Sequence, residues 1–272
     1  YKQGHKILLT TGNGPQTGEI YDIFTAANKF NKKHLALPLD EVNAISQSYI
    51  GYHVIKSLKN KFPQKNAPIA CLETLTLVDE KDKAFKNPTK PIGNFFKTLA
   101  EAKKAYPKDK IIEDAGRGFR KVVPSPKPQS FIGFESISKL LDANIITIAA
   151  IGGGVPCVIK NKKIIGKEGV IDKDYSTAKL AELIHADVLL ILTGVKNVVL
   201  NFNKPNAKAI NKATVAEMEK YLTQYDFGKG SMEPKLKAAV SFVKNTKKNA
   251  IITDLKNASN AIQLKAGTVI KK

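Results

Sequence analysis

Three lysines stand where a free ammonium is poorly placed unless an anion lies nearby. Lys173 opens a predicted helix in Ile171-Asp172-Lys173-Asp174, and Lys235 stands at the start of another in Gly230-Ser231-Met232-Glu233-Pro234-Lys235. A helix N-terminus carries partial positive charge and exposed N–H groups, so a cation there is disfavoured by a few tenths to ~1 kcal/mol. The placement makes sense if both lysines face an anion that the helix ends also bind. Lys127 is fixed between prolines in Pro124-Ser125-Pro126-Lys127-Pro128, and proline restricts the backbone around it. In so lysine-rich a chain most lysines are solvated surface, so context alone singles out these three. Asp172 or Asp174 is placed to cap the helix at Lys173, and Asp174 could also orient the lysines by pairing with them.

Glycine turns supply the complementary feature. Gly12-Asn13-Gly14 is weak evidence alone, because Asn-Gly pairs are ordinary turn residues. Gly152-Gly153-Gly154 follows a buried apolar run. Consecutive glycines are costly in chain entropy, and they let backbone N–H groups come close to an anion. Neither segment has the spacing of a P-loop or a dinucleotide fingerprint. The histidines, His5, His34, His53 and His185, lie outside these segments, so a histidine general base is not expected. Phosphoryl transfer remains, because it can proceed by positioning and charge neutralisation. If the acceptor oxygen is already an anion, no proton need be removed.

The elements that would hold these residues alternate strand and helix. His5–Thr11 reads as a strand, followed by a helix from about Gln16, and Glu41–Lys61 as a long helical stretch. Ile69–Val78 is apolar and β-rich, Ser136–Asp142 helical, and Ile145–Ile151 a fully apolar strand of the kind covered on both faces. Tyr175–His185 reads as a helix, Val188–Leu192 as a buried strand ending at Thr193-Gly194, and Ala250–Thr253 as a short strand. Pro234–Val243 is a helix with Leu236, Ala239, Val240 and Val243 on one face, and Pro234 fits its first turn. Strand–glycine–helix order defines an α/β layered fold, with ligands expected at the carboxyl ends of strands. Residues ~80–130, rich in Pro, Gly and Lys, break the rhythm. They read as a small protruding subdomain over the site, since long irregular stretches in compact domains are usually functional.

Composition narrows the class. The chain has 272 residues, 43% of them hydrophobic, enough for one large domain or a large one with a small one. No apolar run reaches the ~18 residues of a membrane span. The segment Tyr1–Lys6 has no signal-peptide pattern, so the cytoplasm is the expected compartment. Cys71 and Cys157 lie in apolar, strand-like stretches and read as reduced and buried; no metal held by protein side chains is expected. The net charge of +20, from 44 basic and 24 acidic residues, is spread along the chain without a zinc-finger spacing or an aromatic RNA-binding signature. It predicts a solvated surface and a steering field for anionic substrates rather than a nucleic-acid partner.

Several longer motifs carry a family resemblance. They are Leu9-Thr10-Thr11-Gly12-Asn13-Gly14-Pro15-Gln16, Asn87-Pro88-Thr89-Lys90-Pro91-Ile92-Gly93 and Glu113-Asp114-Ala115-Gly116-Arg117-Gly118 with Val122-Val123 and the proline-lysine run. Further along are Ala150-Ile151-Gly152-Gly153-Gly154-Val155-Pro156, Val170-Ile171-Asp172-Lys173-Asp174 and Gly230-Ser231-Met232-Glu233-Pro234-Lys235. In this order, over nearly the whole chain, they resemble the carbamate kinases of the amino-acid kinase superfamily; the proline-lysine run is what separates that family from acetylglutamate and other amino-acid kinases.

The resemblance implies a three-layer α/β/α sandwich around a mostly parallel sheet: a single domain over residues 1–272 with the subdomain at about 80–130, usually as a homodimer. It implies reversible phosphoryl transfer between carbamoyl phosphate and ADP, giving ATP and carbamate, with Mg2+ accompanying the nucleotide, in fermentative arginine breakdown. Lys127 would contact carbamoyl phosphate, and Gly12, Asn13, Gly152, Gly153 and Gly154 would cradle the substrate. Lys173 and Lys235 would neutralise the transferring group, with Asp174 orienting them, and Thr193, Gly194, Tyr225 and Met232 would line the nucleotide pocket. Relatives open with a strand and a Gly-Gly-Asn phosphate loop that precede the point where this sequence starts, so that strand and loop are expected to be absent from this chain. Thr11 stands where many relatives have histidine, with a small effect expected. Another amino-acid kinase, acetylglutamate-kinase-like, and an inactive binding protein on the same fold are the alternatives.

Overall fold

The computed structural model describes residues 1, 3–62, 67–114 and 116–272, without the side chain of Lys229. Ala115, inside the predicted Asp114–Gly118 glycine turn, lies outside the described residues. The chain divides into two compact units, Tyr1–Ser176 and Thr177–Lys272.

In the first unit the elements run β1 (Leu8–Leu9), α1 (Gly14–Phe30), α2 (Leu39–Lys61), β2 (Ile69–Cys71), β3 (Leu75–Val78), β4 (Lys90–Phe96), α3 (Leu99–Ala105), β5 (Ile111–Glu113), β6 (Phe119–Val123), β7 (Pro128–Ile132), α4 (Phe134–Asp142), β8 (Ile146–Ile148), β9 (Val155–Lys160) and β10 (Lys163–Gly166), and α5 (Lys173–Leu183) begins near its end. β1 and β2 flank β8 in a parallel sheet, with Thr147 opposite both Leu8 and Ala70. A second sheet has the order β10-β9-β3-β7, in which β3 pairs parallel with β9 and antiparallel with β7. The third, β4-β6-β5, is antiparallel.

Two sequence expectations need correcting here, and the β-rich stretch Ile69–Val78 is two strands in two sheets. The chain crosses between them at Leu72–Thr74, where side chains and a neighbouring strand take up the backbone groups: the Leu72 N–H donates to Ile148 O at 2.9 Å and the Thr74 N–H to Gln47 Oε1 at 3.1 Å. Ile145–Ile151 is a strand only over Ile146–Ile148; Ala150 turns left-handed at φ 50° and Ile151–Gly153 forms a 3-10 turn. Residues 80–130 are less irregular than their composition suggests, since β4, α3, β5 and β6 lie inside them. α3 is set by a capping box in which Thr98 and Glu101 satisfy each other's backbone N–H.

At Gly18, α1 meets β4 backbone to backbone. A Cβ placed on Gly18 would fall 2.0 Å from both Cα and N of Gly93, itself at φ +73°. Beside that contact the Tyr106 hydroxyl donates to the Asp22 carboxylate at 2.6 Å. Burial pushes the Asp22 carboxyl above its ordinary value, against the Tyr106 hydrogen bond that lowers it. Arg120 Nε donates to Gly93 O at 3.1 Å, and the buried Lys121 ammonium lies 4.1 Å from the Tyr21 ring centre. α2 buries a polar stripe, Asn43, Ser46 and Gln47, at the spacing that puts side chains on one helix face.

The second unit contains β11 (Val188–Thr193), β12 (Val198–Leu200), β13 (Lys208–Ile210), β14 (Lys212–Thr214), α6 (Val215–Gln224), α7 (Glu233–Thr246), β15 (Asn249–Asp254), α8 (Ala258–Ile262) and β16 (Thr268–Lys271). Its main sheet has the order β11-β15-β16-β14, with β11–β15 and β14–β16 parallel. The predicted face of α7, Leu236, Ala239, Val240 and Val243, is buried. The fold is mixed α/β with parallel sheet cores, and no helix among the described residues is long and apolar enough to cross a membrane. Of the two cysteines, Cys157 is buried and Cys71 half-buried; both are free thiols, and burial pushes the Cys157 thiol up to about 11.

Candidate active site

In the first unit the predicted glycine turns and Lys173 come together. The Gly152 N–H donates to Thr11 O at 2.7 Å, which holds the 3-10 turn against the loop before α1. Gly152 is at φ +65°, and a Cβ there would fall 2.0 Å from Asn13 Cγ. Only glycine permits this approach. Gly153 O accepts from both Thr76 Oγ1 and Ser176 Oγ, each at 2.8 Å, so the turn is tied to β3 and to the first turn of α5. Gly154 packs on Thr76, whose Oγ1 a Cβ would meet at 2.2 Å. The Lys173 side chain runs past Gly12, where a Cβ would lie 3.1 Å from its Cδ.

Asn13 is placed differently from a ligand-facing amide. It is 2% exposed, and its Nδ2 donates to Ser46 Oγ at 2.8 Å and Asn43 Oδ1 at 3.3 Å. Asn43 Nδ2 in turn donates to Gly169 O at 2.7 Å. The Asn13 side chain therefore locks the loop onto the polar stripe of α2.

Lys173 is the first residue of α5, as expected. Asp172 provides the cap: its Oδ1 accepts from the Asp174 N–H at 2.9 Å. Asp174 is buried and accepts the Lys173 ammonium at 2.8 Å. The next contact has no signal in the residue pattern. Lys90, the first residue of β4, places Nζ 2.7 Å from Asp172 Oδ2. Burial would raise the Asp172 carboxyl; attraction to Lys90 and its hydrogen bond, with the Asp174 N–H and Lys173, outweigh burial and hold it below the ordinary range.

Lys127 itself is exposed, with its backbone pinned: the Lys127 N–H donates to Asp82 Oδ2 at 2.9 Å. The run that carries it also touches the approach to α5, since Pro124 O accepts from the Val170 N–H at 2.8 Å.

The remaining candidates belong to the second unit. Thr193 ends β11 opposite Asp254 of β15, and the space around Gly194 is open within 4 Å. Tyr225 follows α6 and contacts Tyr221 edge-on, ring centres 6.0 Å apart. Met232 closes a π turn, Gly228–Met232, that leads directly into α7. Gly228, at φ +75°, opens the turn, and its N–H donates to Asp226 Oδ1 at 2.8 Å. Lys235 is the third residue of α7, at its start as expected, and Nζ reaches back to Ser231 O at 3.3 Å.

Comparison with known proteins decides the family. A model of the amino acid kinase family matches residues 1–254. The carbamate kinase of Latilactobacillus sakei is 46% identical over 100% of this chain and 87% of its own length. The chain belongs to the carbamate kinases. Carbamate kinase 2 of Enterococcus faecalis is 42% identical, over 99% of this chain and 87% of its own length. A solved structure described as carbamate kinase from Giardia lamblia bound to AMP-PNP superposes with TM-score 0.88 at 41% identity, covering 100% of this chain and 86% of that one. The same enzyme bound to citric acid gives 0.92 at 40% identity, again over 100% of this chain and 86% of that one. Against this family background the features that residue patterns did not reveal are the Lys90–Asp172 pair, the polar stripe of α2, and Thr76 with Ser176. Lysine and serine are too common in the chain for their spacing alone to mark them.

Proposed function

We propose that the protein moves a phosphoryl group reversibly between carbamoyl phosphate and ADP, giving ATP and carbamate. In the ATP-forming direction the bond from phosphorus to the carbamoyl oxygen breaks. A bond to a terminal ADP oxygen forms, and carbamate leaves with the electron pair. The acceptor is already an anion, so no proton has to be removed, which agrees with the absence of histidine from the described cluster. The observation that carries the reading is the meeting of Lys173 and Asp174 with two glycine turns in one place.

Lys173 takes the charge that develops on the transferring oxygens, and buried Asp174 holds its ammonium in place. The Gly12-Asn13 loop offers its backbone to the substrate. The Gly152–Gly154 turn, whose N–H groups are taken by Thr11, Ala150 and Ile151 O, gives the substrate a side-chain-free wall rather than N–H donors, and Lys127 contacts carbamoyl phosphate from its pinned run. In the second unit Thr193, Gly194, Tyr225 and Met232 line the nucleotide, and Lys235 neutralises phosphate charge. Mg2+ travels with the nucleotide. Such an ion keeps its waters and phosphate oxygens and needs few protein ligands.

The reading extends to a cytoplasmic enzyme of arginine fermentation that works as a homodimer, with residues ~80–130 forming the substrate-side subdomain. Ile45, Tyr49 and Tyr52 support the dimer, being exposed by 38%, 53% and 60% along one side of α2. Mixing the protein with ADP, Mg2+ and carbamoyl phosphate and measuring ATP tests the activity. A protein that makes no ATP from this mixture yet phosphorylates acetylglutamate would replace the reading with the other amino-acid kinase.

A further inference from the structure

The Lys90–Asp172 contact lies beside the reacting cluster but outside every role assigned above. We propose that Lys90 is a positioning residue for Lys173, acting through Asp172. By occupying the Asp172 carboxylate it keeps the Lys173 ammonium on Asp174, against the glycine turns. The inference rests on the phosphoryl-transfer reading and adds a residue to it.

Two carboxylates flank Lys173 in the chain, and its flexible four-carbon stem can serve either. Asp174 holds it now, at 2.8 Å. Asp172 is close enough for Lys173 to help lower its carboxyl, so the two acids compete for one ammonium. Lys90 settles the competition by pairing with Asp172 Oδ2 at 2.7 Å, while Oδ1 is taken by the Asp174 N–H. The Asp172 side chain is 16% exposed, and a carboxylate that far from water demands a cation. Besides Lys90, the cation that acts on the Asp172 carboxyl is Lys173.

The origin of Lys90 matters as well. It lies opposite Val123 of β6, one residue before the Pro124–Pro128 run, and the Thr89 N–H donates to Val123 O at 3.2 Å. The strand pair that delivers Lys127 is thereby fastened to the helix start that delivers Lys173. A purely structural ion pair would lower stability on removal and leave turnover alone.

The experiment compares wild type, K90Q, K90R, D172N and K90Q/D172N by kcat and KM for ATP formation, with a crystal structure of K90Q. We expect K90Q to lose roughly 10- to 100-fold in kcat, the scale of an ångström-sized misplacement, with little change in KM for ADP. K90R should retain most activity. D172N should stay within a few fold of wild type, and adding K90Q to it should cost nothing more, since a neutral amide in place of the Asp172 carboxylate no longer competes for Lys173. In crystals of K90Q, Lys173 Nζ should lie on Asp172. An unchanged kcat in K90Q, a double variant as slow as K90Q, or Lys173 still on Asp174 in the K90Q crystal would each overturn the proposal. If K90Q does not fold, the D172N background decides: a further kcat loss there also overturns it. A wild-type protein that forms no ATP from carbamoyl phosphate would sink the functional reading instead, and the crystal position of Lys173 would still judge this one.

Discussion

Replacing Gly18 by alanine separates local preference from packing. In an exposed helix the change would stabilise by ~1 kcal/mol, because glycine is a poor helix former. Here the new methyl would lie 2.0 Å from Gly93 Cα, where ordinary contact begins at 3.4 Å. Relief requires α1 and the β4 backbone to part by about 1.4 Å, since backbone atoms cannot rotate away as a side chain would. Overpacking of this kind costs typically ~1–3 kcal/mol. The Tyr106–Asp22 hydrogen bond, now 2.6 Å, would stretch beyond useful length, and bonds to charged groups contribute ~1.5–3 kcal/mol. Set against the propensity gain, G18A should lose about 1.5–5 kcal/mol in urea unfolding. Because α1 starts at the Gly12–Asn13 loop, the same retreat should lower kcat/KM for carbamoyl phosphate by ~10-fold or more. A G18A protein as stable as wild type would refute the close-approach argument, and one destabilised but fully active would refute the link from α1 to the loop.

Three further outcomes are expected. K127A should unfold within ~0.5 kcal/mol of wild type, as surface changes do, because the pinning bond comes from its backbone; its kcat/KM should fall ~100-fold, and unchanged rates would remove the role given to that ammonium. G152A should lose about 2–5 kcal/mol from left-handed strain and the displaced Asn13–Ser46 bond, readable as a lower urea midpoint. For Asp172 the folded carboxyl is lowered, so its stabilisation is complete above the ordinary range near ~4 and is lost as pH falls through the lower folded value. The stability gap between wild type and D172N, about 1–3 kcal/mol for a partly buried pair, should therefore hold from neutral pH to about 5 and close in stronger acid. A gap that instead widens in acid would contradict the lowered carboxyl.

The sequence carried the parts of this fold that repeat a simple pattern. The apolar face of α7 was legible because it follows helical period, and so was the buried run of β8; β11 was legible as a strand, but only Leu189 and Ile191 of it are buried, while Val188 and Leu192 are exposed. Asn-Gly and Gly-Gly-Gly marked turns because few other residues serve there. What was illegible depended on partners distant in the chain. Lys90 and Asp172 are 82 positions apart, and nothing about either residue alone announces the pair. Ile69–Val78 was legible as β-rich but not as two strands, because hydrophobicity does not record which neighbour a strand will bond. The buried polar face of α2 hid for the opposite reason: asparagine, serine and glutamine read as solvent-facing until Asn13 and Thr74 are seen to use them.

β3 has a consequence of its own. Its Leu75 end faces Val155, just past the glycine turn, and its Val78 end faces Pro128, just past Lys127. A strand advances ~3.3 Å per residue, so these ends offset the two loops by about 10 Å along the strand direction. One inserted residue would lengthen that offset by one step and turn its inward side chains outward. Leu75–Val78 should accept changes of residue type far more readily than a change in length.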